Sequence, residues 1–179
     1  MYRSPNLDEA TERLLRLLDE HGPGLHALLV KLTLRKDAAE DLLQDLFIRM
    51  SESKGFRLSP TPERYLFRAA VNLAFDWRKQ MRRSSAASQA QLIDEDIAEW
   101  DSPVEKAIRQ EELERVLVAM ERLPERHREL IALRYLHGWS YDELAMNLNS
   151  TPHRVRALCS KTVARLRKLI HADTAKDQL

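Results

Sequence analysis

Glycine and proline are scarce in this sequence, at 4 and 7 of 179 residues. Alternating β-branched runs are scarce as well, so long amphipathic helices are the expected consequence and no strand is expected. Four glycines cannot build a phosphate-cradling loop of the Gly-rich Lys-Ser/Thr type. A single cysteine, Cys159, cannot form an internal disulfide. A reducing, cytoplasmic compartment is therefore expected. No apolar run approaches the roughly 18 residues of a membrane span, so membrane insertion is not expected. Met1 to Asn6 lacks a basic stretch followed by an apolar core, and no secretory leader is expected. The histidines (21, 26, 127, 137, 153 and 171) lack ligand spacing with Cys or acidic partners, so no metal is expected. No nucleophile–base–acid set can be assembled either. The expectation is a chain that is not an enzyme and carries no cofactor.

What is abundant is charge. Charged residues make up 32% of the chain, yet the net charge is only +1. The near-neutrality is a sum of segregated blocks. Arg78, Lys79, Arg82 and Arg83 form one basic cluster. Arg154, Arg156, Lys161, Arg165, Arg167 and Lys168 form another, with no acid between Thr151 and Ala172. Between them lie Asp94, Glu95, Asp96, Glu99 and Asp101, with no Lys or Arg from Ser84 to Asp101. Two basic surfaces fit nucleic acid; solvated helix faces are the alternative for either cluster alone.

The polar, then acidic, stretch 84–101 cannot bury much apolar surface and reads as a linker. The organisation expected is all-α: two small helical domains, 1–83 and 102–179, joined by an acidic flexible linker over 84–101. Helix starts are marked by capping-box pairs: Asn6 with Glu9, Asp37 with Glu40, Ser102 with Glu105, and Ser140 with Glu143. Thr61-Pro62, Ser102-Pro103 and Thr151-Pro152 place a capping hydroxyl before a proline at the first helical position. These signals predict helices near 7–21, 24–35, 38–53, 62–83, 103–122, 125–137, 141–148 and 152–171. Gly22-Pro23-Gly24 is expected to break the first pattern, and 51–61 to form a loop.

The C-terminal module carries the clearest chemistry. Gly138 is placed to end one helix in the left-handed conformation. Trp139 precedes the Ser140 cap and can staple onto Leu144. A short helix follows, then a turn at Asn149-Ser150, then a longer helix capped by Thr151. On that helix Val155, Leu158, Cys159, Thr162, Leu166 and Leu169 make the buried stripe. Thr151, His153, Arg154, Arg156, Ser160 and Lys161 are left outward. A short helix, a tight turn and a long basic helix make a helix-turn-helix. Its second helix suits the width of a major groove, and Arg near its start can reach guanine edges.

The run Leu123-Pro124-Glu125-Arg126-His127-Arg128-Glu129-Leu130-Ile131-Ala132-Leu133-Arg134-Tyr135, followed by Gly138-Trp139-Ser140-Tyr141-Asp142-Glu143-Leu144-Ala145, resembles the −35-reading domain of extracytoplasmic-function (ECF) sigma factors. Val155-Arg156 and Arg165-Leu166-Arg167-Lys168-Leu169 resemble the rest of it. Asn149-Ser150 replaces the usual Gly-containing turn, Arg154 stands where Thr is common, and Leu158 where Arg is common. Base preference is therefore not carried over. The resemblance extends to the N-terminal module and covers roughly 30–83 and 103–171. Ala39 to Met50 resembles the family helix that docks on RNA polymerase. Leu42, Leu46 and Arg49 fall to one side of it, and Asp41, Gln44, Asp45 and Ile48, the implied docking residues, to another. Tyr65 to Lys79 resembles the −10-reading helix. Leu66, Ala70, Leu73 and Trp77 form its expected buried stripe, leaving Arg64, Arg68, Asn72, Arg78 and Lys79 to meet DNA. Phe56, Tyr65 and Phe67 are candidates to stack on an unpaired base, with core packing the alternative for each.

The resemblance implies a sigma factor whose partners are core RNA polymerase, promoter DNA and an anti-sigma factor. Two other readings of the residues stand beside it. One is a helix-turn-helix transcriptional regulator that binds DNA without core polymerase. The other is a helical interaction protein that binds no DNA. Dependence of promoter binding on core polymerase separates all three.

Overall fold

The computed structural model describes residues 9–84 and 103–176, and these form helices and turns with no strand among them. The first half contains α1 (Glu9–Thr33), α2 (Lys36–Glu52), the one-turn α3 (Lys54–Arg57) and α4 (Pro62–Ser84). The second half contains α5 (Pro103–Glu121), α6 (Glu125–Ile131), a π-helical turn over Ala132–His137, α7 (Tyr141–Leu148) and α8 (Pro152–Lys176). Asn6, Ser102, Trp100 and the acidic stretch 94–101 lie outside the described residues.

Several sequence expectations are corrected here. Helix α1 runs unbroken through Pro23. A proline inside a helix costs about 3 kcal/mol through the missing N–H and the ring clash. Leu14, Leu25, Leu28, Leu29 and Leu32 on the same helix are essentially fully buried. Each contributes roughly 1.5–3 kcal/mol of burial, so packing against α2 and α4 outweighs the break. The Asp37–Glu40 capping box does not form. Helix α2 starts at Lys36, its N-cap Arg35 makes no side-chain cap, and Arg35 instead pairs with the Asp37 carboxylate. The reversal between α1 and α2 is made by Leu34 in the left-handed region, with φ 58°. Thr33 holds it: its hydroxyl donates to the Leu29 carbonyl at 2.9 Å and accepts from the Arg35 amide at 3.2 Å.

The loop expected over 51–61 contains α3. Ser53 caps it by accepting from the Phe56 amide at 3.1 Å, and Phe56 is fully buried. Tyr65 stacks edge-on against Phe56, and its hydroxyl meets Ser53 Oγ at 3.2 Å. Phe67 is 1% exposed. Phe56 and Phe67 are thus core residues and not free stacking platforms. Leu66, Ala70 and Leu73 are buried as the stripe predicts, while Trp77 is half-buried.

The helix expected over 125–137 changes type midway. At Ala132 it loosens into the π-helical turn, which ends at Gly138 with φ 100°. The amides of Gly138 and Trp139 both close on the Leu133 carbonyl at 3.0 Å. Helix α8 continues to Lys176, beyond the expected end. One apolar cluster joins both halves of the molecule, and Phe67 of α4 is its hinge point: its ring lies 4.5 Å from that of His137 and 5.2 Å from that of Trp139.

Candidate nucleic-acid interface

Local signals build the C-terminal site. Ser140 Oγ accepts from the Glu143 amide at 3.1 Å, and the Ser140 amide donates to the Glu143 carboxylate at 2.6 Å, a complete capping box. Those bonds hold the Glu143 carboxyl below its usual range. Its share of the stability is present above the ordinary carboxylate range and is lost as acid protonates the group. Ser140→Ala is expected to cost about 1 kcal/mol, read as a lowered urea midpoint for the full-length chain at neutral pH. An unchanged midpoint would mean the cap contributes nothing. Trp139 is 7% exposed, shares a small cleft with Leu144, and accepts from Arg134 at 3.0 Å through its carbonyl. Asn149 ends α7 in the left-handed region, with φ 47°. It supplies the turn geometry without glycine, as Asn tolerates it best among side-chain-bearing residues.

Thr151 Oγ1 accepts from the Arg154 amide at 3.4 Å and opens α8. Val155, Cys159, Thr162 and Leu166 are buried, and burial pushes the Cys159 thiol up. Thr151, His153, Arg154, Arg156, Ser160 and Lys161 are all exposed on the opposite side. Arg156 is pre-positioned: its guanidinium lies 5.0 Å from the Tyr141 ring centroid, with that of Arg134 at 4.5 Å from the same ring. The arrangement offers a basic, exposed helix start next to unpaired helical N–H groups, suited to phosphate and base edges.

The α4 residues are placed differently. Lys79 is exposed. Arg68 is ion-paired to Glu125 at 3.2 Å and, through Nε, to Glu129 at 3.1 Å. Asn72 Nδ2 donates to Glu125 at 2.6 Å and to Glu129 at 3.4 Å. Arg64 borders the same cleft, and burial lowers its pKa. Arg78, expected outward, is only 5% exposed. It donates to the Leu32 carbonyl at 3.2 Å, to Glu114 at 2.6 Å and to Glu121 at 3.2 Å. Arg82 also pairs with Glu121. On α2, Asp41, Gln44, Asp45 and Ile48 are all exposed, Ile48 at 54%, while Leu42 and Leu46 face the core. Arg49, grouped with those leucines on the sequence pattern, is exposed instead.

Residues 17–84 match the model for sigma-70 region 2, and residues 119–168 match that for sigma-70, region 4. The ECF RNA polymerase sigma factor SigM of Mycobacterium tuberculosis is 30% identical over 158 residues, covering 87% of this chain and 76% of SigM. The chain belongs to the ECF family of RNA polymerase sigma factors. SigX of Bacillus subtilis is 25% identical to this sigma factor over 167 residues, covering 91% of it and 85% of SigX. A solved structure, the sigma factor RpoE of Bartonella quintana in complex with the anti-sigma factor NepR, is 22% identical with a TM-score of 0.46, covering 90% of this chain and 96% of that one. The region 2 match holds α2 to α4 and the region 4 match holds α6 and α7 with most of α8.

What sequence reasoning missed in this sigma factor is the acidic face of region 4. Glu125 and Glu129 stand four apart on α6, so they share one side. They were legible as motif members but not as partners of α4. The Arg68 hydrogen bond holds the Glu125 carboxyl low, whereas burial pushes Glu129 up against the pull of Arg68.

Proposed function

We propose that this sigma factor directs core RNA polymerase to its promoters through three separate faces. The exposed start of α8, with Thr151, His153, Arg154, Arg156, Ser160 and Lys161, reads the −35 element. Helix α4, with Arg64, Arg68, Asn72 and Lys79, captures the −10 strand as the duplex opens. Helix α2, with Asp41, Gln44, Asp45 and Ile48, docks on core polymerase. The residue ranges 1–83, 84–101 and 102–179 serve as docking and melting domain, linker and −35 domain. The protein acts by positioning, without catalysing a reaction, and works in the cytoplasm. Among the described residues no helix is long and apolar enough to cross a membrane. An anti-sigma factor is a further partner in this reading.

The observation that carries it is the pair of sigma-70 region matches, in order, on one chain. Run-off transcription with purified core polymerase on a genomic promoter library tests it. Promoter-specific transcripts are expected only when the chain and core are both present. Specific DNA binding by the chain alone, indifferent to core, would overturn the reading in favour of a stand-alone regulator.

A further inference from the structure

The loop 58–61 between α3 and α4 is short, largely exposed and fixed from several directions. Leu58 at its start is 84% exposed. A lone exposed leucine signifies little by itself; the hold on the backbone around it sets this one apart. The Leu58 amide donates to the Lys54 carbonyl and the Ser59 amide to the Phe56 carbonyl, both at 3.1 Å. Ser59 Oγ accepts from the Thr61 amide at 3.2 Å. Ser59 and Thr61 each precede a proline, which disfavours helical backbone there, and the rings of Pro60 and Pro62 fix their own φ. Beneath the loop Phe56 is fully buried, and Gly55 lies so close to Tyr65 that a Cβ there would stand 2.7 Å from the ring hydroxyl. A further tie comes from α1. Arg13 donates through a terminal guanidinium nitrogen to the Ser59 carbonyl at 3.2 Å, across 46 residues of chain. With it the amide, hydroxyl and carbonyl of Ser59 all have partners.

We propose that Arg13 is a positioning residue for −10 recognition: it pins the α3–α4 loop so that Leu58 meets the opened strand at the entrance of α4. This rests on the reading of α4 given above. The loop runs directly into α4, whose first turns carry Arg64 and Arg68. Apolar side chains that enter a nucleic-acid stack act as wedges between bases, and a wedge works only if its backbone does not yield. A loop held by its own neighbours alone can swing as a unit about its two ends. A bond to a separate helix removes that freedom, and a bond from a guanidinium is stronger than a neutral one. Fixing the loop in advance also spares the ordering cost at the moment of binding. The anchor is itself firm. Arg13 precedes Leu14, which is fully buried, on a helix whose Leu25, Leu28, Leu29 and Leu32 are core residues. It also stands ahead of the region 2 match, which begins at residue 17. The first turns of α1 therefore add a part to the −10 face that the matched segment does not contain.

The test uses holoenzyme assembled with the full-length chain. Binding to a library of single-stranded −10 oligonucleotides is measured at two salt concentrations for Arg13→Ala, Arg13→Lys, Leu58→Ala and Arg13→Ala/Leu58→Ala. Arg16→Ala, exposed on the same helix, controls for the lost charge. Arg13→Ala is expected to weaken the preferred strand about tenfold and to flatten the preference at one position, with core affinity and thermal midpoint unchanged. Leu58→Ala should flatten the same position, and the double variant should be no worse than Leu58→Ala alone. Arg13→Lys, which can still donate to the Ser59 carbonyl, and Arg16→Ala should stay within about twofold of wild type. In the free chain, hydrogen exchange at the Ser59 and Thr61 amides should be faster in Arg13→Ala. Wild-type preference or unchanged loop exchange in Arg13→Ala would overturn the proposal, as would an equal loss in Arg13→Lys or Arg16→Ala, or additive losses in the double variant. So would a salt slope lowered by about 0.7 with the preference intact, the mark of a direct phosphate contact. A wild-type holoenzyme with no −10 preference, alongside faster loop exchange in Arg13→Ala, would overturn the −10 reading of α4 and this role with it, and leave only the tie.

Discussion

Arg154→Ala is expected to cost the holoenzyme roughly 1–3 kcal/mol on its preferred −35 sequence, about 5- to 150-fold in affinity. The loss should fall on that sequence and much less on others. Arg154 is exposed on the first turn of α8, where a groove-inserted helix meets base edges. Its guanidinium can address two acceptors of one guanine at once, which alanine cannot. Arg156→Ala should behave differently. Its guanidinium is already stacked on Tyr141, so little rotamer entropy remains to be lost on binding. A pre-positioned cation of that kind suits a fixed backbone phosphate. Its loss should weaken all sequences alike and lower the salt slope by about 0.9. Binding of holoenzyme to a −35 library at two salt concentrations separates the cases. If both variants retain wild-type preference and slope, α8 does not read the promoter.

The other large effect is expected on α2. Asp45→Lys with Gln44→Lys should weaken core polymerase binding on the order of 10- to 100-fold, since like charges brought together at an interface cost several kcal/mol. Asp41, Gln44, Asp45 and Ile48 form a continuous exposed strip around a half-exposed isoleucine. An apolar centre ringed by polar groups is the usual anatomy of a docking patch. The substituted positions face solvent, so helix content should not change. Core affinity is read by titration against fluorescent core, with circular dichroism as the folding control. Unchanged affinity at normal helicity would move the docking face elsewhere.

Legibility in the sequence followed the range of the interaction concerned. Ser140, Glu143 and Gly138 act within a few residues of themselves, and α7 has the expected limits. The outward and inward faces of α8 were likewise set by periodicity along one helix. Pro23 was misread because its cost is local while the leucine burial that overrides it comes from α2 and α4. Arg78 was misread for the same reason, whereas Phe67 follows its core-packing reading. Arg78 looks like a surface cation until Glu114 and Glu121 arrive from α5, and Phe67 looks available until His137 and Trp139 cover it. Asp37 looked like a cap because Glu40 stands three residues on, but the helix starts at Lys36 and Arg35 claims the Asp37 carboxylate.

The π-helical turn at Ala132–His137 has a consequence for how this family member tolerates changes in chain length. A π turn holds one more residue than the α turn it replaces. Deleting a single residue there, Leu136 for instance, would let the segment tighten into ordinary α-helix with its hydrogen bonds intact. Each α-helical residue advances the chain by about 100°. Because the tightened turn completes the same sweep with one residue fewer, the deletion would leave Gly138, and with it the approach of α7 and α8, facing nearly as before. Most indels in a helix damage packing in proportion to what they remove. Here one residue is a spare that the turn can shed: the reading helix stays folded, basic and aimed as before.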